Sequence, residues 1–369
     1  MKLLNLITSF FLLGITLLSC SRKPESEINL ISVRIDSLLQ SIPDFSGVVL
    51  VADKESVLYH KAFGFRNFEQ KIPLDTLAIF ELASVSKQFT AMIIMMLEEE
   101  GKLNYDDSVS NYMPDLPYRG ITIRHLLTHT SGLPDYQSIM DKYWDKSKIA
   151  SNEDNIEYLI RYQPTKVFRP GEKYEYSNTG YMLLGTVAEK ASGEDFIALC
   201  RSRIFIPLKM KSTAIRTQEE KKQIENFVLG YLYVSEKQRY ISADSFPEFN
   251  YTIWLGNRKG PGRISSTSLD LLKWDRALYT EKLVKQATLT QAFSPMKLTT
   301  DSLSYYGFGW EIRNEAKLGK IVWHAGDNPG YKTEIIRYID AGKTIILLNN
   351  NAHEREGEIL SSIRCFVEH

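Results

Sequence analysis

The chain has 369 residues, 43% of them hydrophobic and 24% charged, and its 45 Lys and Arg balance 45 Asp and Glu. It is too apolar for a disordered chain, too mixed for a fibre and too neutral for a protein whose partner is nucleic acid. The length suits one large domain or two ordinary ones, since domains run to roughly 100 to 200 residues.

The first segment reads as an export signal: Lys2 is followed by an apolar run from Ile7 to Leu18 and then by Ser19 and Cys20. Its end, Leu17-Leu18-Ser19-Cys20, resembles a bacterial lipoprotein signal, in which residues 1–19 are removed and Cys20 carries lipid. The alternative, an uncleaved anchor helix, is disfavoured because the run is shorter than the ~18 residues a span requires. Residues 20–27 then form a polar tether and residues 28–369 the folded domain. Cys200 and Cys365 read as buried, inert thiols, since one possible pair makes no disulfide framework.

Ile28, Ile31, Ile35, Leu38 and Leu39 recur at helical spacing, so the domain opens with an amphipathic helix. Strand-like runs follow at Gly47 to Ala52 and Ser56 to Phe63. The middle is mostly helical: Lys87 to Gly101, Ile123 to Leu127, Asn155 to Tyr162, Thr179 to Ile204 and Ser268 to Leu278, the last opened by the capping pair Thr267 and Asp270. Four more strands are expected at Tyr306 to Ile312, Lys320 to His324, Tyr331 to Ile339 and Thr344 to Leu348, before a final helix from Glu356 to Val367. Short turns imply antiparallel neighbours. The pattern predicts an α/β (α+β) fold in which both termini build one antiparallel sheet flanked by helices, with a helical lobe inserted. The sheet lobe takes about 28–84 and 215–369, the helical lobe about 85–214.

The chain has no G-x-S-x-G elbow, no phosphate-binding G-x-x-x-x-G-K-[ST], no H-E-x-x-H and no C-x-x-C. His125 and His129 have the i, i+4 spacing of a zinc pair, but no third ligand completes it locally, and both read as structural. S-x-x-K occurs twice, as Ser84 to Lys87 and as Ser294 to Lys297. Only the first opens an apolar-periodic helix, placing Ser84 at the positive end of its dipole with Lys87 on the same face. A serine hydroxyl becomes a nucleophile when a base removes its proton, and a lysine is such a base once burial lowers its pKa. A plain N-cap with a solvated lysine is the alternative. Against it stands Tyr176-Ser177-Asn178, the chain's one Y-x-N, just before a helix. A phenol there can exchange a proton with Ser84 and Lys87, and the amide can hold a substrate carbonyl or the lysine head. A third element, His324-Ala325-Gly326, ends an expected strand, whose edge can present N–H groups to a substrate.

The ordered set Ser84-x-x-Lys87, Tyr176-x-Asn178 and His324-x-Gly326 resembles the class C beta-lactamases and their wider relatives, the serine esterases, D-aminopeptidases and D-alanyl carboxypeptidases of penicillin-binding type. HLLTHTSGLPDY (His125 to Tyr136), GRISSTSLDLLKW (Gly262 to Trp274), GFGW (Gly307 to Trp310) and HAGDNPGYKTE (His324 to Glu334) add to the likeness. It implies a beta-lactamase/transpeptidase-like fold with the site in the cleft between lobes, and neither metal nor cofactor. It also implies Ser84 as acylated nucleophile, Lys87 and Tyr176 as the proton-transfer pair, and Asn178 as a substrate or lysine partner. The oxyanion hole would be the N–H groups of Ser84 and Asp327. The third motif departs from the lactamase Lys-Thr-Gly, because an imidazole and a methyl hold a substrate carboxylate poorly. The expectation is an exported, lipid-anchored monomeric serine hydrolase of the cell envelope, acting on an ester, amide or D-amino-acid peptide. A true beta-lactamase or D-alanyl-D-alanine carboxypeptidase, and a non-catalytic envelope scaffold, are the competing readings. Charging of His324 toward pH 6 is expected to favour carboxylate-bearing substrates.

Overall fold

The computed structural model describes residues 25–368, so the expected signal and Cys20 lie outside the described residues. Helix α1 (Glu25–Gln40) leads into strands β1 (Gly47–Ala52) and β2 (Val57–Phe63). Helices α2 (Lys87–Glu99), α3 (Asn178–Ser192) and α4 (Ser268–Ala277) follow with shorter elements between them. The chain then returns through β3 (Glu311–Glu315), β4 (Gly319–Asn328), β5 (Tyr331–Tyr338) and β6 (Lys343–Asn349) to the closing helix α5 (Glu356–Glu368). The six strands form one antiparallel sheet in the order β3-β4-β5-β6-β1-β2, and Gly47 stands opposite Asn349 where the two ends of the chain meet.

Both faces of this sheet are covered, which is why β1 (GVVLVA) is buried at every residue instead of alternating. Val49, Val51, Ile336, Ile345 and Leu347 pack against Ile31, Ile35 and Leu39 of α1 and Ile359 and Ile363 of α5. Val48, Leu50, Ile335, Ile346 and Leu348 face the larger core that includes α2, α3 and α4. Helix α2 runs through this core, with residues 87–95 and Leu97 buried, and the Phe89 ring packs tilted against Trp274 of α4 with centres 4.4 Å apart. A helix buried on nearly all sides has to be apolar on nearly all sides, and the run FTAMIIMML meets that demand.

Several expected elements differ in detail. The stretch Thr179 to Ile204 is not one helix: α3 stops at Gly193 (φ +74°), Asp195 caps a new helix Phe196–Cys200, and a π-helical turn Arg201–Phe205 follows. The strand expected at Tyr306 to Ile312 begins only at Glu311, because Gly309 (φ +79°) turns the chain and Tyr306 makes a lone bridge to Glu311. Thr267 does cap α4 by accepting the Asp270 N–H, but the Asp270 carboxylate turns instead to Ser212 and Thr213. Cys200 is buried as expected; Cys365 is exposed, on the outer side of α5. The strand expected to end at His324 continues to Asn328, so His324, Ala325 and Gly326 lie inside β4 and not at its end. The neighbouring β3 stops pairing at Trp323, which leaves residues 324–328 with an open edge on that side.

Candidate active site

Ser84 sits in a 3-10 turn, Ala83–Ser86, that feeds directly into α2. Ala83 has φ +46°, a left-handed conformation unfavourable to a side chain, at a cost of about 1–3 kcal/mol that the surroundings must offset. They do so by hydrogen bonds: Leu82 donates its N–H to the Ile264 carbonyl at 2.9 Å and accepts from the Thr333 hydroxyl at 2.9 Å, and Ser86 Oγ accepts the Ile264 N–H at 3.1 Å. Gly326 lies against the same turn, where a Cβ would come within 2.2 Å of the Leu82 carbonyl oxygen. Only glycine lets β4 approach so closely. The strained turn presents Ser84, which is partly exposed while Ala83, Val85 and Ser86 are buried.

Lys87 is one helical turn on and fully buried, with its ammonium reaching Ser84 Oγ at 3.0 Å, Asn178 Oδ1 at 2.9 Å and the Pro261 carbonyl at 2.9 Å. Burial, assisted by the positive charge of Arg258, holds its pKa well below the usual lysine range. Arg258 is itself buried and donates to the Tyr136 hydroxyl at 2.6 Å. The chemistry of the three Lys87 partners is unequal. Two are carbonyl oxygens that can only accept, whereas the Ser84 hydroxyl can also donate. Once Lys87 is neutral, its two N–H groups stay on Asn178 and Pro261 and its lone pair is left facing Ser84.

Tyr176 lies at the mouth, 41% exposed, with its hydroxyl end buried beside Ser84. Burial of that hydroxyl end pushes its pKa up, so it remains a protonated phenol at neutral pH. The Lys87 ammonium stands 4.7 Å from the ring centre. Ser177 caps α3 through the Gly180 N–H, which fixes Asn178 at the first helical position, facing Lys87.

His324 is 2% exposed and accepts from or donates to the Tyr306 hydroxyl at 2.8 Å through Nε2, while Nδ1 lies 2.7 Å from its neighbour's carbonyl, Ala325 O. A carbonyl cannot donate, so Nδ1 carries the hydrogen and Nε2 accepts from Tyr306. Burial, together with the charge of Lys87, holds the imidazole pKa down to about 3. The expected charging toward pH 6 is therefore overturned: His324 is a neutral, committed hydrogen-bond partner. Asp327, next along the open edge, is ion-paired with Lys332 across the β4–β5 ladder.

Ser84, Lys87, Tyr176, Asn178, His324, Gly326 and Asp327 thus come from three separate stretches of sequence to one cleft. The second S-x-x-K does not join them: Ser294 donates to the Thr290 carbonyl and Lys297 pairs with Asp301. His125 and His129 do not converge as metal ligands either, since their Nδ1 atoms accept from the Thr122 and Ser177 N–H groups respectively. Among the described residues no cluster of three potential metal ligands occurs. Sequence reading missed the Pro261 carbonyl, Arg258 and Tyr306. The Gly260-Pro261-Gly262 run was the available signal for the first, because Gly260 adopts φ +104° where a Cβ would strike the Tyr181 carbonyl.

An antiparallel sheet made from both ends of the chain, an inserted helical lobe and a Ser-x-x-Lys helix at the cleft define the serine beta-lactamase and penicillin-binding protein fold class. The Beta-lactamase family model matches residues 35–362, and the chain belongs to that family. It is 42% identical over 315 residues to penicillin-binding protein 4* of Bacillus subtilis (strain 168), covering 85% of this chain and 70% of that protein. The octameric penicillin-binding protein homologue from Pyrococcus abyssi superposes with a TM-score of 0.76 at 27% identity, over 91% of this chain and 76% of the other. D-amino acid amidase from Ochrobactrum anthropi SV3 shares the fold alone, with a TM-score of 0.74 at 22% identity over 93% of this chain and 99% of the amidase.

Proposed function

We propose that the protein hydrolyses its substrate through an acyl-enzyme on Ser84. The observation that carries this reading is that, of the three groups around the buried Lys87 head, only the Ser84 hydroxyl can give up a proton to it. In the proposed sequence neutral Lys87 takes that proton as Ser84 Oγ attacks the substrate carbonyl. The developing oxyanion is held by the N–H groups of Ser84 and Asp327, and the leaving group departs with a proton relayed through Tyr176. Water then attacks the acyl-enzyme with the same groups in reverse. A scaffold would need neither the strained Ala83 turn nor a buried lysine beside a half-open serine.

The substrate is an ester or amide without a free carboxylate beside β4. A charge-assisted contact to a carboxylate contributes about 1.5–3 kcal/mol, or roughly ten- to a hundredfold in rate when realised in the transition state. Here that place has a neutral imidazole and an alanine methyl, and the Asp327 carboxylate follows. A nitrophenyl ester should therefore be turned over with higher kcat/KM than a chromogenic cephalosporin. Because the folded His324 pKa is about 3, far below the ordinary value of 6.5, the preference should stay flat as pH falls from about 7.5 to 6. A cephalosporin preferred a hundredfold at neutral pH would make the protein a beta-lactamase instead.

We further propose that the protein is exported and held at the envelope membrane by lipid on Cys20, supported by the apolar run that ends in Leu17-Leu18-Ser19-Cys20. No helix among the described residues is long and apolar enough to cross a membrane. Cys20→Ala should move the protein out of the membrane fraction, and wild-type protein without a lipid mass at its N-terminus would refute the anchor.

A further inference from the structure

His129 lies beneath the site without touching Ser84, and its contacts converge on one residue. Its backbone carbonyl accepts the Glu175 N–H at 2.9 Å, and its Nδ1 accepts the Ser177 N–H at 3.0 Å. The two residues so held flank Tyr176, and the imidazole centre is 4.3 Å from the Tyr176 ring. To make both contacts His129 adopts φ +56°, an uncommon conformation for a non-glycine residue that is completely buried. The Nδ1 bond places the hydrogen on Nε2, and that donor is buried with no hydrogen-bond partner, enclosed by the rings of Tyr176, Tyr181 and Tyr306. Strain and an unpaired buried donor persist where the surrounding structure enforces them, and both are concentrated at functional sites.

We infer that His129 is a positioning residue for Tyr176: it clamps the backbone on both sides of the tyrosine and supports its ring, so that the phenol stays on the Ser84 hydroxyl. The assignment rests on Tyr176 acting at Ser84. The imidazole must be neutral to accept from Ser177, and its surroundings keep it so: burial, then the positive charge of Lys87, hold its pKa well below 6.5. The other ionisable groups around it, Tyr174, Tyr176, Tyr181 and Tyr306, are phenols whose pKa values are all raised by burial, so none supplies a negative charge to reverse this.

The test compares three substitutions and one cycle, with thermal unfolding measured for each variant. His129→Leu removes the acceptor, and kcat on a nitrophenyl ester should fall about a hundredfold with KM nearly unchanged, the scale expected for a reacting group displaced by about 1 Å. His129→Asn retains a side-chain acceptor and tolerates positive φ, and should keep kcat within about tenfold of wild type. If the leucine variant does not fold, His129→Gly removes the same acceptor in a backbone conformation glycine favours, and carries the same comparison. The decisive readout is the cycle: in a Tyr176→Phe background, the His129 substitution should lower kcat less than about threefold further. An undiminished loss in that background, or equal losses for asparagine and the acceptor-free variants, would overturn the assignment. An unaffected kcat in Tyr176→Phe alone would instead overturn the role of Tyr176, which separates the two failures.

Discussion

Ser84→Ala should lower ester turnover by about four orders of magnitude or more, because the acyl-enzyme has no other atom on which to form. The substitution leaves the fold intact: alanine suits the 3-10 turn, and Lys87 retains Asn178 and Pro261 as partners. An activated phosphonate should add its mass to the peptide containing Ser84 in wild type and to no serine in the variant. Ser294→Ala should label and turn over as wild type does, since the Ser294 hydroxyl is bound to the Thr290 carbonyl and Lys297 is engaged by Asp301. Equal turnover in wild type and Ser84→Ala would remove the covalent mechanism.

Lys87→Met and Tyr176→Phe should each cost about a thousandfold in kcat, and the double variant should be little worse than the poorer single. Both groups contact the same hydroxyl, so removing either interrupts one proton path. Independent roles would instead multiply to about a millionfold, which a double-mutant cycle reads directly. Methionine fills the lysine's volume, which keeps the loss from being a cavity effect in the core around α2. In wild type the depressed lysine pKa sets the sign of the pH response: kcat/KM should rise with pH as Lys87 loses its proton, with a midpoint below the ordinary lysine value of 10.5.

Much of this site was written in local sequence. Periodicity alone placed α2, and S-x-x-K at its start put Ser84 and Lys87 on one face, because three residues make nearly one turn whatever the rest of the chain does. Tyr176 and Asn178 were legible as the one Y-x-N before an expected helix, whereas the cap by Ser177 that sets Asn178 in the first turn emerged only in the structure. The paired terminal strands followed from short turns and apolar runs, and the order of the three motifs identified the family. What local sequence could not contain was the surroundings of each group. Whether Lys87 is solvated or buried depends on α3 and the Gly260-Pro261-Gly262 segment, far away in the chain, and burial decides whether it is an ammonium or a base. The His324 imidazole, ordinary in isolation, is held neutral by burial and Lys87 and bound to Tyr306, so its pH response belongs to the fold. His129 carried a metal-like spacing in sequence, yet its φ of +56° and its bond to Ser177 give it a different duty. Spacing fixes which side chains can share a face; desolvation and hydrogen bonds between distant segments fix their charge and their chemistry, and only the tertiary structure brings those segments together.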